Sequence, residues 1–201
     1  MQNRILILFA HPRFENSRVH KALTHSIPKS NSITFHDLYD LYPNFNIDIE
    51  IEKKLLLDHN IIIWQHPFYW YSCPPLLKQW IDMVLEFGWA YGPGGNALQG
   101  KFIFNTISTG GANEAYQENG RNRFTIKQLL APFDQTSYLC KLKYLPPFLV
   151  QGTHRLSDQE VKDKSDEYAT LLNTLTEANL ADINFDSFAN LNQWILQYKK
   201  V

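Results

Sequence analysis

Cysteine is scarce in this chain: two residues, Cys73 and Cys140, among 201. A pair so far apart supplies neither a CxxC motif nor a four-thiolate zinc site, which excludes a disulfide scaffold and indicates a reducing compartment. Charge of one sign is lacking too, because 19 Lys plus Arg stand against 20 Asp plus Glu, for a formal charge of −1. No such balance marks a nucleic-acid partner or a charged membrane surface. Long apolar runs are also missing. Ile5–Ala10 is stopped by His11-Pro12, too short for a signal peptide, and no later run approaches the ~18 residues of a membrane span. The seven histidines show no HxxxH or HExxH spacing, so no metal site is expected. The expectation is a cytoplasmic, soluble protein.

What is present is a globular composition, 44% apolar and rich in aromatics at 14%. The length suits one compact domain with a substantial core. Ile5 to Phe9 is a continuous apolar run without alternation, the pattern of a strand buried on both faces of a parallel sheet. Asn16 and Ser17 can cap the helix that follows, with Val19, Ala22, Leu23 and Ile27 at helical spacing. Further strands read at Ser32–His36, Ile61–Gln65, Phe102–Ser108 and roughly Tyr144–Gln151, separated by helical periods. The alternation predicts a doubly wound α/β fold with a five-stranded parallel sheet and helices on both faces.

Between the third and fourth strands, Ser72 can cap a helix begun by Pro74-Pro75, with Leu76, Leu77, Trp80, Ile81, Val84 and Leu85 as its apolar stripe. Lys78, Asp82 and Glu86 lie four apart on the opposite face. Ser157 to Glu160 is a capping-box pattern opening a helix that turns Val161, Tyr168, Leu171, Leu172 and Leu175 inward. Phe188, Leu191, Trp194, Ile195 and Tyr198 form a last amphipathic piece. No repeat or linker supports a second domain.

Two glycine motifs mislead. Gly92 to Ala97 fits GxGxxG/A, and Gly95 to Lys101 spells GxxxxGK, but both leave a helix and enter a strand, and Phe102 stands where magnesium would need Ser or Thr. They read as a glycine-rich connection, a candidate mobile lip.

Ligands of open α/β sheets bind at the carboxyl ends of the strands near the switch point, so the loops after strands one, three and four should converge. His11 to Arg18 brings imidazole, guanidinium, hydroxyl and free backbone N–H groups to a helix N-terminus, a ready anion site. Phe68, Tyr69, Trp70 and Tyr71 follow a buried strand and cannot all enter the core, so some must wall a surface or a flat ligand. Ser108 to Gly111 adds paired glycines that permit close backbone approach. The three loops together suit a phosphate-bearing aromatic cofactor, for which FMN fits.

The run Gln65-His66-Pro67-Phe68-Tyr69-Trp70-Tyr71-Ser72-Cys73-Pro74-Pro75 and its continuation to Asp82, with Gly88-Trp89-Ala90-Tyr91-Gly92 and Ser108-Thr109-Gly110-Gly111, resembles the flavodoxin-like NAD(P)H:quinone oxidoreductases. Leu41 to Asp48 and Leu145-Pro146-Pro147-Phe148 sharpen this to the ancillary flavoproteins of glutathione-gated potassium efflux systems. The resemblance covers residues 3 to 175 and leaves the tail unmatched. Residues 1–175 are therefore expected to form a flavin-binding domain, and 176–201 a helical extension of it.

The resemblance implies a homodimer holding FMN, with FAD the alternative used by longer relatives. His11 and Ser17, Arg18, Val19 and His20 would lie at the phosphate end. Pro67, Phe68, Tyr69, Trp70 and Tyr71, with Ser108, Thr109, Gly110 and Gly111, would surround the ring. Tyr116 falls near a family tyrosine that relays charge with a histidine six residues on. Asn122 occupies that second position here, and Arg121 or Arg123 is the candidate replacement, as a fixed positive charge beside a developing negative one.

The expected activity is two-electron transfer from NADH or NADPH through the flavin to a quinone or similar electrophile, by a ping-pong mechanism. The alternative is a regulatory subunit docked on a potassium efflux transporter at the inner face of the membrane. A one-electron shuttle, which would favour a strongly acidic face, is disfavoured by the near-zero charge.

Overall fold

A computed structural model of the chain describes residues 2–198. Five positions make up the parallel sheet: β2 (Ile33–Asp37), β1 (Ile5–Phe9), β3 (Ile61–Pro67), β4 (Phe102–Thr109), then β5 (Lys143–Tyr144) and β6 (Phe148–Gln151) sharing the last. β5 and β6 both run parallel to β4. The four residues of β4 from Ile103 to Thr106 are matched by five from Tyr144 to Phe148. The interruption follows from Pro146-Pro147, which have no N–H to give to a ladder.

Alternate strand residues face opposite layers, as a pleated strand requires. Leu6, Leu8, Ile62, Trp64, Ile103 and Ile107 pack against α2 (Leu38–Leu41), α3 (Ile49–Asp58), α4 (Pro75–Val84), α5 (Ile126–Leu129) and α6 (Ala131–Leu139). Ile5, Ile7, Ile61, Ile63, Phe104, Phe148 and Val150 pack against α1 (Arg18–His25), α7 (Asp158–Glu177) and α8 (Leu191–Tyr198). All five residues of β1 are fully buried, which accounts for its unbroken apolar run.

Most local signals act as their chemistry suggests. Ser17 caps α1 by accepting from the His20 N–H, and Ser157 with Glu160 closes a capping box on α7. Ser72 does not cap α4. Pro74 holds that position without a side-chain bond, and the Ser72 N–H instead closes a turn onto the Tyr69 carbonyl at 3.0 Å. Lys78 pairs with Asp82, whereas Glu86 pairs with Lys53 of α3. The glycine-rich connection before β4 is pinned, not a free lip: Ala90 and Leu98 are fully buried and Lys141 Nζ donates to the Gly95 carbonyl at 3.1 Å. It also enters the amino end of β4, away from the edge where ligands bind in such sheets.

Two polar ties reinforce the layers. Buried Glu52 of α3 accepts from His36 Nε2 at 2.7 Å, Tyr42 Oη at 2.6 Å and Trp80 Nε1 at 2.7 Å, joining β2, the following loop and α4. On the other side, the described part of the tail lies along β6, where Asn192 of α8 bonds the backbone of Leu149. Residues 199–201, included in the expected extension, lie outside the described residues. Among the described residues, no helix is long and apolar enough to cross a membrane.

Candidate functional site

Four loops meet at the carboxyl ends of the strands, and hydrogen bonds join them in a ring. The loop after β3 is tied to β4 by the Phe68 N–H donating to the Ser108 carbonyl at 2.9 Å. α1 is tied to the same residue, with His20 Nε2 2.9 Å from Ser108 Oγ. Gly152 N–H donates to the Gly111 carbonyl at 2.9 Å and Thr153 N–H to Thr109 at 3.1 Å, which attaches the loop after β6. Arg18 closes the ring: Nη1 pairs with Asp158 at 2.9 Å, while Nη2 donates to the carbonyls of Thr153 and Leu156.

The ring encloses a cleft of about 630 Å³. Its phosphate-suited end is formed by His11, Ser17, Arg18 and Val19 with Arg13 and Asn16, and its other end by Pro67, Phe68, Tyr69, Ser108 and Gly110. No Asp or Glu lines it. Burial lowers the pKa of His11, and its Nδ1 accepts from the Arg13 N–H at 3.1 Å, so the neutral ring carries its proton on Nε2. Thr153, His154 and Leu156 complete the wall. Sequence reasoning missed this fourth loop because Thr, His and Leu there carry no motif.

A second cavity of about 270 Å³ adjoins the first through Phe68. Trp70, Tyr71, Gly111 and Tyr116 line it, together with Arg121 and Asn122. Arg123 does not line it. Trp70 and Tyr71 take left-handed backbone angles, φ 48° and 63°, as the central residues of the turn closed by Ser72, and Trp70 is 92% exposed. Tyr71 Oη donates to Asn122 Oδ1 at 3.4 Å. Asn122 is itself held by its N–H donating to the Ala115 carbonyl at 2.9 Å. Burial raises the Tyr116 pKa, leaving its hydroxyl protonated at neutral pH.

Two expected contact residues stand behind the wall. His20 is fully buried, and burial, with His11 and His66 nearby, holds its pKa well below the ordinary value. Thr109 is buried and donates its hydroxyl to the Gly111 carbonyl at 2.7 Å. The paired glycines have a different local cause from ligand approach alone. A Cβ on Gly110 would lie 3.0 Å from His154 Nε2, and one on Gly111 3.1 Å from Tyr116.

A five-position parallel sheet in the order 2-1-3-4-5, with an anion-suited helix start and an aromatic wall at its carboxyl edge, defines the flavodoxin type of α/β protein. Residues 3–172 match the sequence profile described as "Flavodoxin-like fold", and the chain belongs to that family, Flavodoxin_2. It is 37% identical over 198 residues to "Uncharacterized NAD(P)H oxidoreductase YdeQ" of Bacillus subtilis (strain 168), covering 98% of this chain and 96% of the relative. It is 41% identical over 169 residues to the "Glutathione-regulated potassium-efflux system ancillary protein KefG" of Pectobacterium carotovorum, covering 84% of this chain and 92% of that one. Among solved structures, general stress protein 14 of Treponema denticola in complex with FMN is similar at TM-score 0.82 and 39% identity, covering 86% of this chain and 99% of that chain.

Proposed function

We propose that the protein is an FMN-dependent NAD(P)H:quinone oxidoreductase. The observation that carries the reading is the larger cleft, whose end lined by His11, Arg13, Ser17 and Arg18 holds no carboxylate and whose other end is lined by Phe68 and Tyr69, with a smaller cavity sharing Phe68. The residues present fit FMN. Ser17, Arg18 and Val19 at the start of α1, with His11, suit the phosphate. Pro67 to Tyr71 and Ser108 to Gly111 suit the ring, while His20 and Thr109 support these loops from behind.

Bound FMN would supply two-electron hydride chemistry that no side chain here can perform. The chain's own contribution is to orient and shield. The ring of loop contacts fixes the walls, and Phe68 with the 69–72 turn covers apolar surface against water. Tyr116 presents a neutral hydroxyl beside Asn122, whose amide does not titrate where the family carries a histidine. We assign Tyr116 the role of holding a proton at its Oη near the reacting ring.

We take the small cavity, about 270 Å³, to hold one ring system at a time, which favours alternating use by NADH or NADPH and the acceptor, a ping-pong scheme. The exposed Trp70 and Phe87, 92% and 68% accessible, support a homodimer that covers them. We read residues 176–201 as an extension of the same domain, supported by the bonds from Asn192 to Leu149. The cytoplasm is the proposed location. The likeness to KefG favours a second reading, a regulatory flavoprotein docked on a potassium efflux transporter at the membrane's inner face.

The test is the visible spectrum. Protein purified or reconstituted with FMN should absorb near ~450 nm and bleach on NADPH or NADH addition. Failure to retain any flavin overturns the reading, and FAD released on denaturation replaces FMN as the cofactor. Parallel initial-rate lines support the ping-pong scheme, and a one-chain mass in light scattering removes the dimer. Co-purification with a membrane fraction, without reductase activity, would favour the regulatory reading.

A further inference from the structure

Arg121 is the one Lys, Arg, Asp or Glu lining the small cavity; the polar groups beside it belong to Trp70, Tyr71, Tyr116 and Asn122. Among the described residues Arg121 makes no ion pair, although Arg18 on the neighbouring cleft is fully engaged in holding two loops together. The backbone around Arg121 is fixed. Gly120 donates to the Gln117 carbonyl at 2.9 Å and packs so closely that a Cβ there would lie 2.4 Å from the Glu114 carbonyl oxygen. Asn122, on the other side, is bonded to Ala115. A guanidinium that makes no ion pair among the described residues therefore lines an aromatic-walled cavity from a pinned loop.

We infer that the acceptor taken by this cavity is an anionic aromatic carbonyl compound, its anionic substituent paired with Arg121 and its carbonyl oxygen hydrogen-bonded by the Asn122 amide. The inference rests on the oxidoreductase reading and names the substrate class of that site. Guanidinium suits sulfonate or carboxylate because its planar fork presents two parallel donors to two oxygens. The neutral groups around it neither repel the anion nor compete for the cation. Phe68 and Trp70 supply the apolar faces that a fused ring needs.

The test compares 1,4-naphthoquinone with 1,4-naphthoquinone-2-sulfonate as acceptors for the FMN-loaded protein, with naphthalene-2-sulfonate as an inert ligand for calorimetry. The sulfonated quinone should have the higher kcat/KM, chiefly through a lower KM. Arg121→Gln should reduce the ratio of sulfonated to unsubstituted kcat/KM by ~10-fold and weaken naphthalene-2-sulfonate binding by a similar factor. Arg121→Lys should retain part of both. Equal preference in the parent protein, or a ratio unchanged in Arg121→Gln, overturns the inference while leaving the reductase reading intact. Loss of flavin from the parent protein instead removes the reading on which it rests.

Discussion

Asn192 offers Leu149 what a neighbouring strand would: its Oδ1 accepts from the Leu149 N–H at 2.8 Å and its Nδ2 donates to the Leu149 carbonyl at 3.2 Å. Leu149 belongs to β6, whose ladder joins β4 on one side only. An unpaired strand edge is a template for association with another chain, and a side-chain amide closes this one.

Replacement of Asn192 by Ala should therefore cost about 1–3 kcal/mol, the usual penalty for leaving a backbone donor and acceptor unsatisfied. Urea unfolding monitored by tryptophan fluorescence measures it. A change below ~0.5 kcal/mol would place the contact among surface bonds of little consequence.

Glu52 should make stability depend on acid. Burial alone would raise its pKa, but the bonds from His36, Tyr42 and Trp80 and the His36 charge overcome burial and hold it below the ordinary value. The folded carboxylate is thus favoured over the unfolded one, so its contribution is complete above the unfolded value of about 4.3 and is lost as pH falls through the lower, folded value. Glu52→Gln should destabilise the protein by about 3 kcal/mol at pH 7 and flatten its unfolding profile between pH 5 and 3, a range set by the unfolded carboxylate.

Arg18 should matter more to ligand affinity than to folding. Its ion pair joins partly and almost fully exposed groups, an arrangement that contributes ~0–1 kcal/mol. Its bonds to the Thr153 and Leu156 carbonyls, however, hold a wall of the larger cleft. Arg18→Gln should weaken FMN binding by ~10-fold in a fluorescence titration while shifting stability by less than ~1 kcal/mol.

If Tyr116 holds the proposed proton, Tyr116→Phe should slow flavin reduction by less than ~100-fold, because a complete relay contributes ~10²–10⁴-fold and Asn122 cannot supply the second titrating group. Trp70→Ala should instead lower flavin retention, since its ring contact has no substitute. Stopped-flow reduction of the FMN-loaded variants separates the two. Parent rates in Tyr116→Phe with a weakened dimer would make Tyr116 an interface residue.

The buried strands were legible from unbroken apolar runs, and the helix faces from the period they impose on their residues. Ile5 to Phe9 reads as a two-faced strand, and Val161, Tyr168, Leu171, Leu172 and Leu175 all reach the core as their spacing predicts. The loops after β1, β3 and β4 were legible through residue types suited to anions and flat rings. Position within those loops was not: nothing in a single sequence distinguishes His20, buried against Ser108, from His11 on the cleft. The fourth loop was invisible for the same reason, because Thr153, His154 and Leu156 act through where β6 leaves them. Ser72 looks like a helix cap by composition, yet α4 begins at Pro75, which puts Pro74 at the cap position and Ser72 two residues too early. Glu52 and Asn192 draw partners from distant segments, and such pairing leaves no local pattern.

The turn at Tyr69–Ser72 gives a final consequence. Residues chosen only for folding would place Asn-Gly at its centre, where left-handed angles cost little. Trp70 and Tyr71 hold those angles instead, at about 1–3 kcal/mol each. The chain thus keeps its largest side chain on a site that backbone energetics would give to its smallest. Screens that select for thermal robustness alone should drift toward glycine at 70 and 71, and the sturdiest descendants would be those with the least aromatic wall.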